Sequence, residues 1–186
     1  RLRGLCAMLK KLLQRQRDAA SLGQLLLEAE RLANAEGQHE PGAEHLMLAA
    51  MGLDDGTARR AFERVGADPF RFRDAIDKQY ADALGSVGLK LAPGLEVNCT
   101  PAAVAPGQGL DQAKPSVTAV VKRLSDESAL QVPAHPLLGA HVILAAAHAE
   151  HTTAVRALRA MGVEPRALAE AARAEIRDRL GAESLS

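Results

Sequence analysis

Aromatic side chains are scarce in this chain of 186 residues. They make up 2 % of the sequence, with no tryptophan and a single tyrosine. Nucleic-acid bases and sugars are commonly held by stacking on aromatic rings, so this composition gives little support for a nucleic-acid or carbohydrate site. The formal net charge is zero, which provides no overall attraction to nucleic acid or acidic lipid either.

Cysteines, long apolar runs and catalytic motifs are also missing or few. Cys6 and Cys99 lack metal-ligand spacing and form no disulfide framework, which predicts a reducing, cytoplasmic setting. No run of 18 apolar residues occurs, so no membrane span is predicted. The sequence contains neither a Gly-x-x-x-x-Gly-Lys-Ser/Thr phosphate loop nor a nucleophile elbow. It therefore predicts no ATPase motor, no cofactor and no enzymatic activity in this chain.

The most informative feature present is an internal repeat at an offset of 96 residues. Residues 39–69 align with residues 135–165 without a gap, and 11 of the 31 positions are identical. The identical pairs include His39 with His135, His45 with His141, Thr57 with Thr153, Gly66 with Gly162 and Pro69 with Pro165. Such a repeat predicts two copies of one supersecondary unit, packed around pseudo-two-fold symmetry.

Alanine and leucine dominate the composition, and both favour helices. We therefore predict an all-α fold of two four-helix units packed into one domain. The predicted segments are a basic amphipathic helix at 1–17, repeat 1 at 18–80, a linker at 81–114 and repeat 2 at 115–180. The linker carries three prolines and five glycines. Around Pro93-Gly94 it could form a small β-hairpin, with a plain ordered linker as the alternative.

Local signals predict where the helices of repeat 1 begin and end. Asp18 or Ser21 is expected to cap a helix that stops at Gly37. Residues 43–51 are apolar on nearly every side, which predicts a helix buried at the centre of the unit. Thr57 is expected to cap the helix that follows. Repeat 2 is expected to follow the same course.

The first 17 residues combine leucines at helical spacing with six bases and no acid. The helix is expected to end near Arg17. It can serve as a docking helix, or it can contact an acidic partner or a membrane surface. A regulatory protein whose basic arm contacts nucleic acid or membrane is therefore the rival function. The zero net charge and an acidic repeat 1, with 12 acids and 7 bases over residues 18–80, argue against it.

Two segments of repeat 1 resemble a known family. They are LLLEAERLANAEGQHEPGAEHLMLAAM, residues 25–51, and ARRAFERVGADP, residues 58–69. Both are similar to the Clp N-terminal repeat of the Clp ATPase chaperones, whose hallmark reads Gly-Thr-Glu-His-Leu. Here Gly42–Leu46 occupies the hallmark in repeat 1, and Gly139–Val142 aligns with its last four positions in repeat 2. In this chain Ala43 and Gly139 replace the threonine, and Ala140 replaces the glutamate.

This resemblance implies a non-enzymatic module that binds proteins or peptides. Domains of the family contain two such repeats and recognise substrates and adaptors for Clp chaperone-proteases. Because the ATPase motif is missing, we expect a motor-less member, either an excised domain or a free-standing protein. The unusual first helix favours the free-standing form. The partners implied are a Clp ATPase, its adaptors or its substrates.

The resemblance also implies a ligand site at the hallmark. In similar bacterial proteins the hallmark glutamate, here Glu44, helps recognise a basic or phosphoarginine-tagged substrate, because a carboxylate can bind a guanidinium with two hydrogen bonds. We expect this carboxylate to be partly exposed. Alternatively, Glu44 only favours the dipole of its helix. The candidate ligand-binding residues are Ala43, Glu44 and His45 in repeat 1 and Gly139, Ala140 and His141 in repeat 2. Without the carboxylate, the second site is expected to be lost or altered.

The histidines admit a catalytic or a metal-binding interpretation. His45 and His141 could be bases or ligands, but two symmetric copies in apolar helices favour buried rings that bond to loop backbone. His135, His148 and His151 would add ligands near His141. No cysteine or His-Glu motif accompanies them, so we predict no metal site and no catalytic residue.

Overall fold

The structure, a computed structural model, describes residues 2–38, 40–86, 114–130 and 136–183. Within these ranges the chain forms eight helices and no strand, so the all-α prediction is confirmed. The helices are α1 (Leu2–Ala35), α2 (Ala43–Met51), α3 (Thr57–Arg64), α4 (Arg71–Ser86), α5 (Pro115–Leu130), α6 (Gly139–Ala147), α7 (Thr153–Ala160) and α8 (Pro165–Glu183). None of the helices described is long and apolar enough to cross a bilayer. The hairpin predicted around Pro93-Gly94 lies outside the described residues.

Helix α1 is longer than the sequence signals suggested. It runs unbroken for 34 residues, so the predicted end near Arg17 is wrong. Asp18 and Ser21 lie inside the helix and do not cap it. No proline interrupts this stretch, so nothing forces the chain out of the helical conformation. The helix ends before Gly37, as predicted; Gly37 has a φ of 72°, a left-handed conformation that glycine adopts without strain.

Helices α2 and α6 form the centre of the molecule and pack against each other. Leu46 and Met47 of α2 are fully buried, and so are Val142 and Ile143 at the corresponding positions of α6. The predicted central position of these apolar helices is therefore confirmed. Helix α1 covers α2 on one side, and α5 covers α6 in the same way.

The two repeats are interlocked because each packs its last helix against the third helix of the other. Helix α8 lies on α3, and α4 lies on α7. These two contacts are equivalent under an exchange of the repeats, as the predicted pseudo-two-fold symmetry requires. Inside repeat 1, the rings of Phe62 on α3 and Phe72 on α4 pack at a tilt, with their centroids 5.6 Å apart.

The third helices of the two repeats start differently. Gly56, with a φ of 65°, precedes α3, and no side chain caps the helix. Thr57, the predicted cap, is the first helical residue and directs its hydroxyl group to the backbone of Ala140. That prediction was wrong, because the hydroxyl is used between repeats and not within its own helix. Helix α7 does have a side-chain cap: Thr152 accepts a hydrogen bond from the N–H of Val155 at 3.3 Å.

Candidate functional site

Each central helix begins at a junction with the other repeat. At the first junction, the start of α2 faces the start of α5 and the loop between α6 and α7. At the second junction, the start of α6 faces the loop between α2 and α3. The structure therefore separates the six residues predicted from sequence. Ala43, Glu44 and His45 lie at the first junction, and Gly139, Ala140 and His141 lie at the second.

The two hallmark histidines have the same structural role. His45 Nδ1 accepts a hydrogen bond from the N–H of Gly42 at 2.9 Å, and His141 Nδ1 accepts one from Leu138 at 3.0 Å. Each ring thereby satisfies a backbone N–H that the helix start leaves without a partner. The other ring nitrogen of His45, Nε2, lies 3.1 Å from Glu36 Oε2. These bonds agree with the prediction of buried histidines that fix loop backbone.

The second junction is closed by side chains of the chain itself. Asp55 Oδ2 accepts a hydrogen bond from the N–H of Gly139 at 3.0 Å, and Thr57 Oγ1 accepts one from Ala140 at 2.9 Å. A Cβ atom on Gly139 would lie 2.9 Å from the carbonyl oxygen of Ala50. Glycine is therefore required for this close approach of α6 to the end of α2. Ala140 itself is fully buried.

The first junction is open and forms a groove of about 560 Å³. At the offset of 96, His151 stands where Asp55 closes the other junction, and Ala43 stands where Gly139 allows the close approach. His151 is exposed and does not reach the start of α2 as Asp55 reaches α6. The groove is lined by Glu44, Lys114, Pro115, Ser116, Ala119, Ala149, Glu150, His151, Thr152 and Thr153. We refer to it as the junction groove.

The carboxylate of Glu44 lies at the inner end of the junction groove. Glu44 is only 1 % exposed, so the expectation of a partly exposed carboxylate was wrong. The reason is that other helices cover it. Tyr80 on α4 donates a hydrogen bond to Glu44 Oε1 at 2.5 Å, and Lys114 Nζ lies 3.6 Å from the same oxygen. Burial, then the hydrogen bond to Glu44 and finally the negative charge of Glu44 raise the pKa of Tyr80, so the phenol remains a donor.

The absence of a side chain at Gly42 leaves the space that the Glu44 carboxylate occupies. A Cβ atom at position 42 would lie 2.2 Å from Glu44 Oε1. The side chain of Glu44 therefore folds back over the residue that precedes its helix. Because His45 binds the N–H of the same Gly42, the hallmark glycine, glutamate and histidine form one interdependent turn. With the carboxylate in this position there is no room for a side chain at position 42, and the histidine satisfies the backbone of Gly42.

Lys114 is the residue of the groove that the sequence did not reveal. It ends the predicted linker and directly precedes α5. Its Nζ atom donates a hydrogen bond to Gln38 Oε1 at 2.7 Å and lies 5.6 Å from the centre of the Tyr80 ring. No motif marks this lysine, because its partners Gln38, Glu44 and Tyr80 are far from it in sequence.

The remaining histidines that the structure describes, His148 and His151, form no metal-binding cluster. His148 Nδ1 lies 2.8 Å from the carbonyl oxygen of Leu144, and His151 lies exposed at a φ of 65°. His135 lies outside the described residues. In the part of the chain that the structure describes, no three histidine, cysteine, aspartate or glutamate side chains are close enough to hold a metal ion.

Residues 2–17 of the basic segment form part of α1, but their side chains lie outside those that the structure describes. A contact of its six bases with nucleic acid, membrane or an acidic protein therefore stays a prediction. The boundaries proposed for the four segments of the chain stay predictions as well.

Comparison with known proteins relates part of the chain to a family. The sequence profile of the Clp repeat (R) N-terminal domain matches residues 19–105, which cover repeat 1 and part of the segment after it. Repeat 2 lies beyond the match and is related to repeat 1 by the offset and by equivalent packing. A search of curated proteins found no match. The match includes Gly42–Leu46 and confirms the resemblance inferred from these residues: residues 19–105 are similar to the Clp repeat N-terminal domain.

Proposed function

We propose that this chain is a non-enzymatic module that binds segments of substrate or adaptor proteins in the cytoplasm and presents them to a Clp ATPase. The junction groove is the proposed binding site. One observation carries the proposal: an open groove of about 560 Å³ lies between the repeats, with a buried carboxylate at its inner end. Concave sites with a few polar groups among apolar walls are typical of ligand binding.

The chemistry of the junction groove suits a peptide with a basic side chain. Pro115, Ala119 and Ala149 offer apolar surface, while Ser116 and Thr153 offer hydroxyl groups. A guanidinium group that enters the groove could bind the Glu44 carboxylate with two hydrogen bonds. The same hydroxyl groups can donate hydrogen bonds to a phosphate group on that guanidinium. Basic and arginine-phosphorylated segments are therefore the proposed ligands.

The proposal gives one site per chain. At the second junction, Asp55 and Thr57 occupy the N–H groups of Gly139 and Ala140, and no carboxylate is present at position 140. A ligand would have to displace these intramolecular bonds without a charge to attract it. We therefore expect one ligand per chain, bound at the first junction.

A substitution that fills the junction groove tests the proposal. Ala119 is exposed on α5 and lines the groove, so Ala119→Trp should block the groove without disturbing the core. We expect the affinity for a fluorescent peptide with one arginine or phosphoarginine to fall at least about tenfold, which corresponds to about 1.4 kcal/mol.

Ala167→Trp is the matched control, because Ala167 is exposed on α8 and does not line the groove. It should leave the affinity unchanged. Equal binding by wild type and Ala119→Trp would exclude the groove as the site. A labelled unfolded protein, titrated in parallel, would then show whether the chain binds substrates at another surface.

A further inference from the structure

The carboxylate proposed to bind a cationic ligand already faces a cation of its own chain. Lys114 Nζ lies 3.6 Å from Glu44 Oε1, 3.4 Å from the hydroxyl oxygen of Tyr80 and 2.7 Å from Gln38 Oε1. It also lies 5.6 Å from the centre of the Tyr80 ring, within range of a cation–π contact. The ammonium group thus stands between the groove and the carboxylate.

The backbone holds Lys114 at this place. Its N–H donates a hydrogen bond to the carbonyl oxygen of Pro41 at 3.2 Å, and α5 begins at the next residue. The root of the side chain is therefore fixed beside the turn that precedes α2. The side chain itself is 33 % exposed, and its separation from the carboxylate exceeds that of a close hydrogen bond. An ammonium held in this way can swing into solvent without unfolding any helix.

We propose that Lys114 is a specificity-determining residue, an internal competitor that a cationic ligand must displace from Glu44. This inference rests on the proposed function of the junction groove. A ligand ammonium that displaces the ammonium of Lys114 exchanges one point charge for another and gains little. A guanidinium can place two parallel N–H groups on the carboxylate, which an ammonium cannot do in the same geometry. Lys114 therefore lowers affinity for all cations and favours arginine side chains over lysine side chains.

The second junction has an acid where the first has a lysine, beside the residue that corresponds to Pro41. Position 140 carries no carboxylate, and the acid Asp18 of α1 accepts a hydrogen bond from the N–H of Leu137 through Oδ1 at 3.2 Å. Leu137 corresponds to Pro41 at the offset of 96. Lys114 therefore lies beside the junction that contains the buried Glu44, and Asp18 lies beside the junction that contains Ala140.

Three matched peptides test the proposal: an acetylated, amidated peptide with one arginine, and the same peptide with lysine or with uncharged citrulline. Each is titrated against the full chain by calorimetry. Lys114→Met keeps the length of the side chain and removes its charge. We expect Lys114→Met to bind the arginine peptide about fivefold more tightly, the size of one partly exposed ion pair. The lysine peptide should gain more, so the preference for arginine should shrink.

Control variants separate competition from general charge effects. Lys122→Met, also on α5 but outside the groove, should leave every affinity unchanged. In a Glu44→Gln background, Lys114→Met should have no effect, because the carboxylate for which the cations compete is gone. Lys114→Gln provides a second uncharged side chain, and thermal melting verifies that each variant is folded.

Three results would overturn the inference. One is unchanged binding of the arginine peptide by folded Lys114→Met and Lys114→Gln, which would show that Lys114 does not affect binding. Weaker binding by these variants would overturn it too, because Lys114 would then be a contact of the ligand. The third is the absence of arginine-dependent binding in every variant, since exposing Glu44 would then create no cation site. The junction groove fails separately as the binding site of the proposed function, if Ala119→Trp leaves the binding of a labelled unfolded protein unchanged.

Discussion

At the scale of single residues, the centre of interest is a buried carboxylate whose partners come from separate parts of the chain. Tyr80 on α4 and Lys114 before α5 both approach Glu44 at the start of α2. Because Tyr80 is the only tyrosine and the chain has no tryptophan, its ionisation can be observed without interference. The composition that argued against stacking sites thus supplies a spectroscopic probe of this site.

We predict that Tyr80 titrates above the ordinary pKa of 10.0. Burial excludes the water that would stabilise a phenolate, and the negative charge of Glu44 opposes a second negative charge beside it. The stability that Tyr80 contributes is then fully present below pH 10 and is lost as the pH rises through the higher pKa of the folded state. Near-ultraviolet absorbance of the phenolate measures this directly.

Glu44→Gln is the matched variant for this titration, since it keeps an acceptor oxygen and removes the charge. Its Tyr80 should titrate closer to pH 10 than that of the wild type. Circular dichroism at the same pH values distinguishes titration of the folded protein from unfolding. Titration of wild-type Tyr80 at its ordinary value would show that Glu44 and the phenol are not in contact.

The sequence revealed some of these residues and not others. The two hallmark histidines could be interpreted correctly, because their repetition in apolar helices indicated a backbone role that the bonds to Gly42 and Leu138 now display. The burial of Glu44 could not be predicted. It depends on Tyr80 and Lys114, which lie outside the aligned residues 39–69 and 135–165 and outside the hallmark segment.

At the scale of elements, the apolar pattern predicted the central helices well. Residues 43–51 were expected as one buried helix, and α2 has these bounds. Residues apolar on all sides leave a helix no stable place except the interior. The end predicted for the first helix failed for an equally physical reason. Asp18 permits a helix start but does not require one, and only Gly37 imposes an end.

Core positions in the first helix of each repeat follow a slightly different offset. Leu25 and Ala29 are buried in α1, and Val120 and Leu124 are buried in α5. The two residues of each pair are four positions apart in both helices. Leu25 corresponds to Val120 and Ala29 to Leu124, so the offset between the first helices is one residue less than 96. The loops before the central helices therefore differ in length by one residue. A gapless comparison of the sequence could not show this difference.

We predict that the two copies of one core leucine differ in importance. Leu144 of α6 is 5 % exposed, whereas Leu48, its counterpart in α2, is only half-buried. Leu144→Ala should therefore lower the free energy of unfolding by about 2–5 kcal/mol, as cavities in well-packed cores do. Leu48→Ala should cost less, about 1–2 kcal/mol. Urea unfolding followed by circular dichroism compares the two, and equal losses would contradict the asymmetry.

At the scale of the whole molecule, the repeats are fastened by an ionic cluster between α3 and α8. Glu175 is 4 % exposed. It accepts a hydrogen bond from Arg60 Nε at 2.8 Å and another from Arg64, which also binds Asp178. Burial alone would raise the pKa of Glu175, but the bonds from the two arginines outweigh burial and hold it below the ordinary value.

We predict that Glu175→Gln destabilises the chain by about 1.5–3 kcal/mol near neutral pH, the usual value of hydrogen bonds to a charged group. Because the pKa is lowered in the folded state, this contribution is present above the ordinary value of 4.5. It is lost as the pH falls through the lower pKa of the folded protein. Urea unfolding at several pH values should show the two proteins converge in acid.

Glu170→Gln is the control for this cluster, because Glu170 forms an exposed pair with Arg173 on its own helix. It should change the stability by no more than about 0.5 kcal/mol. If Glu175→Gln behaves like Glu170→Gln, the cluster contributes no more than an ordinary surface pair, and apolar packing alone joins the repeats.

The exchange of last helices has a consequence for synthesis on the ribosome. Repeat 1 emerges first, but α3 packs on α6 and α8, and α4 packs on α7, and all three of these partner helices are made later. Surfaces of repeat 1 that are buried in the folded protein therefore stay exposed until the chain is almost complete. A polypeptide made of one repeat alone could cover the same surfaces only as a dimer, in which the last helix of each copy packs on the other copy. In this packing α4 reaches across to the other repeat, whereas α8 lies on both α6 of its own repeat and α3 of the other.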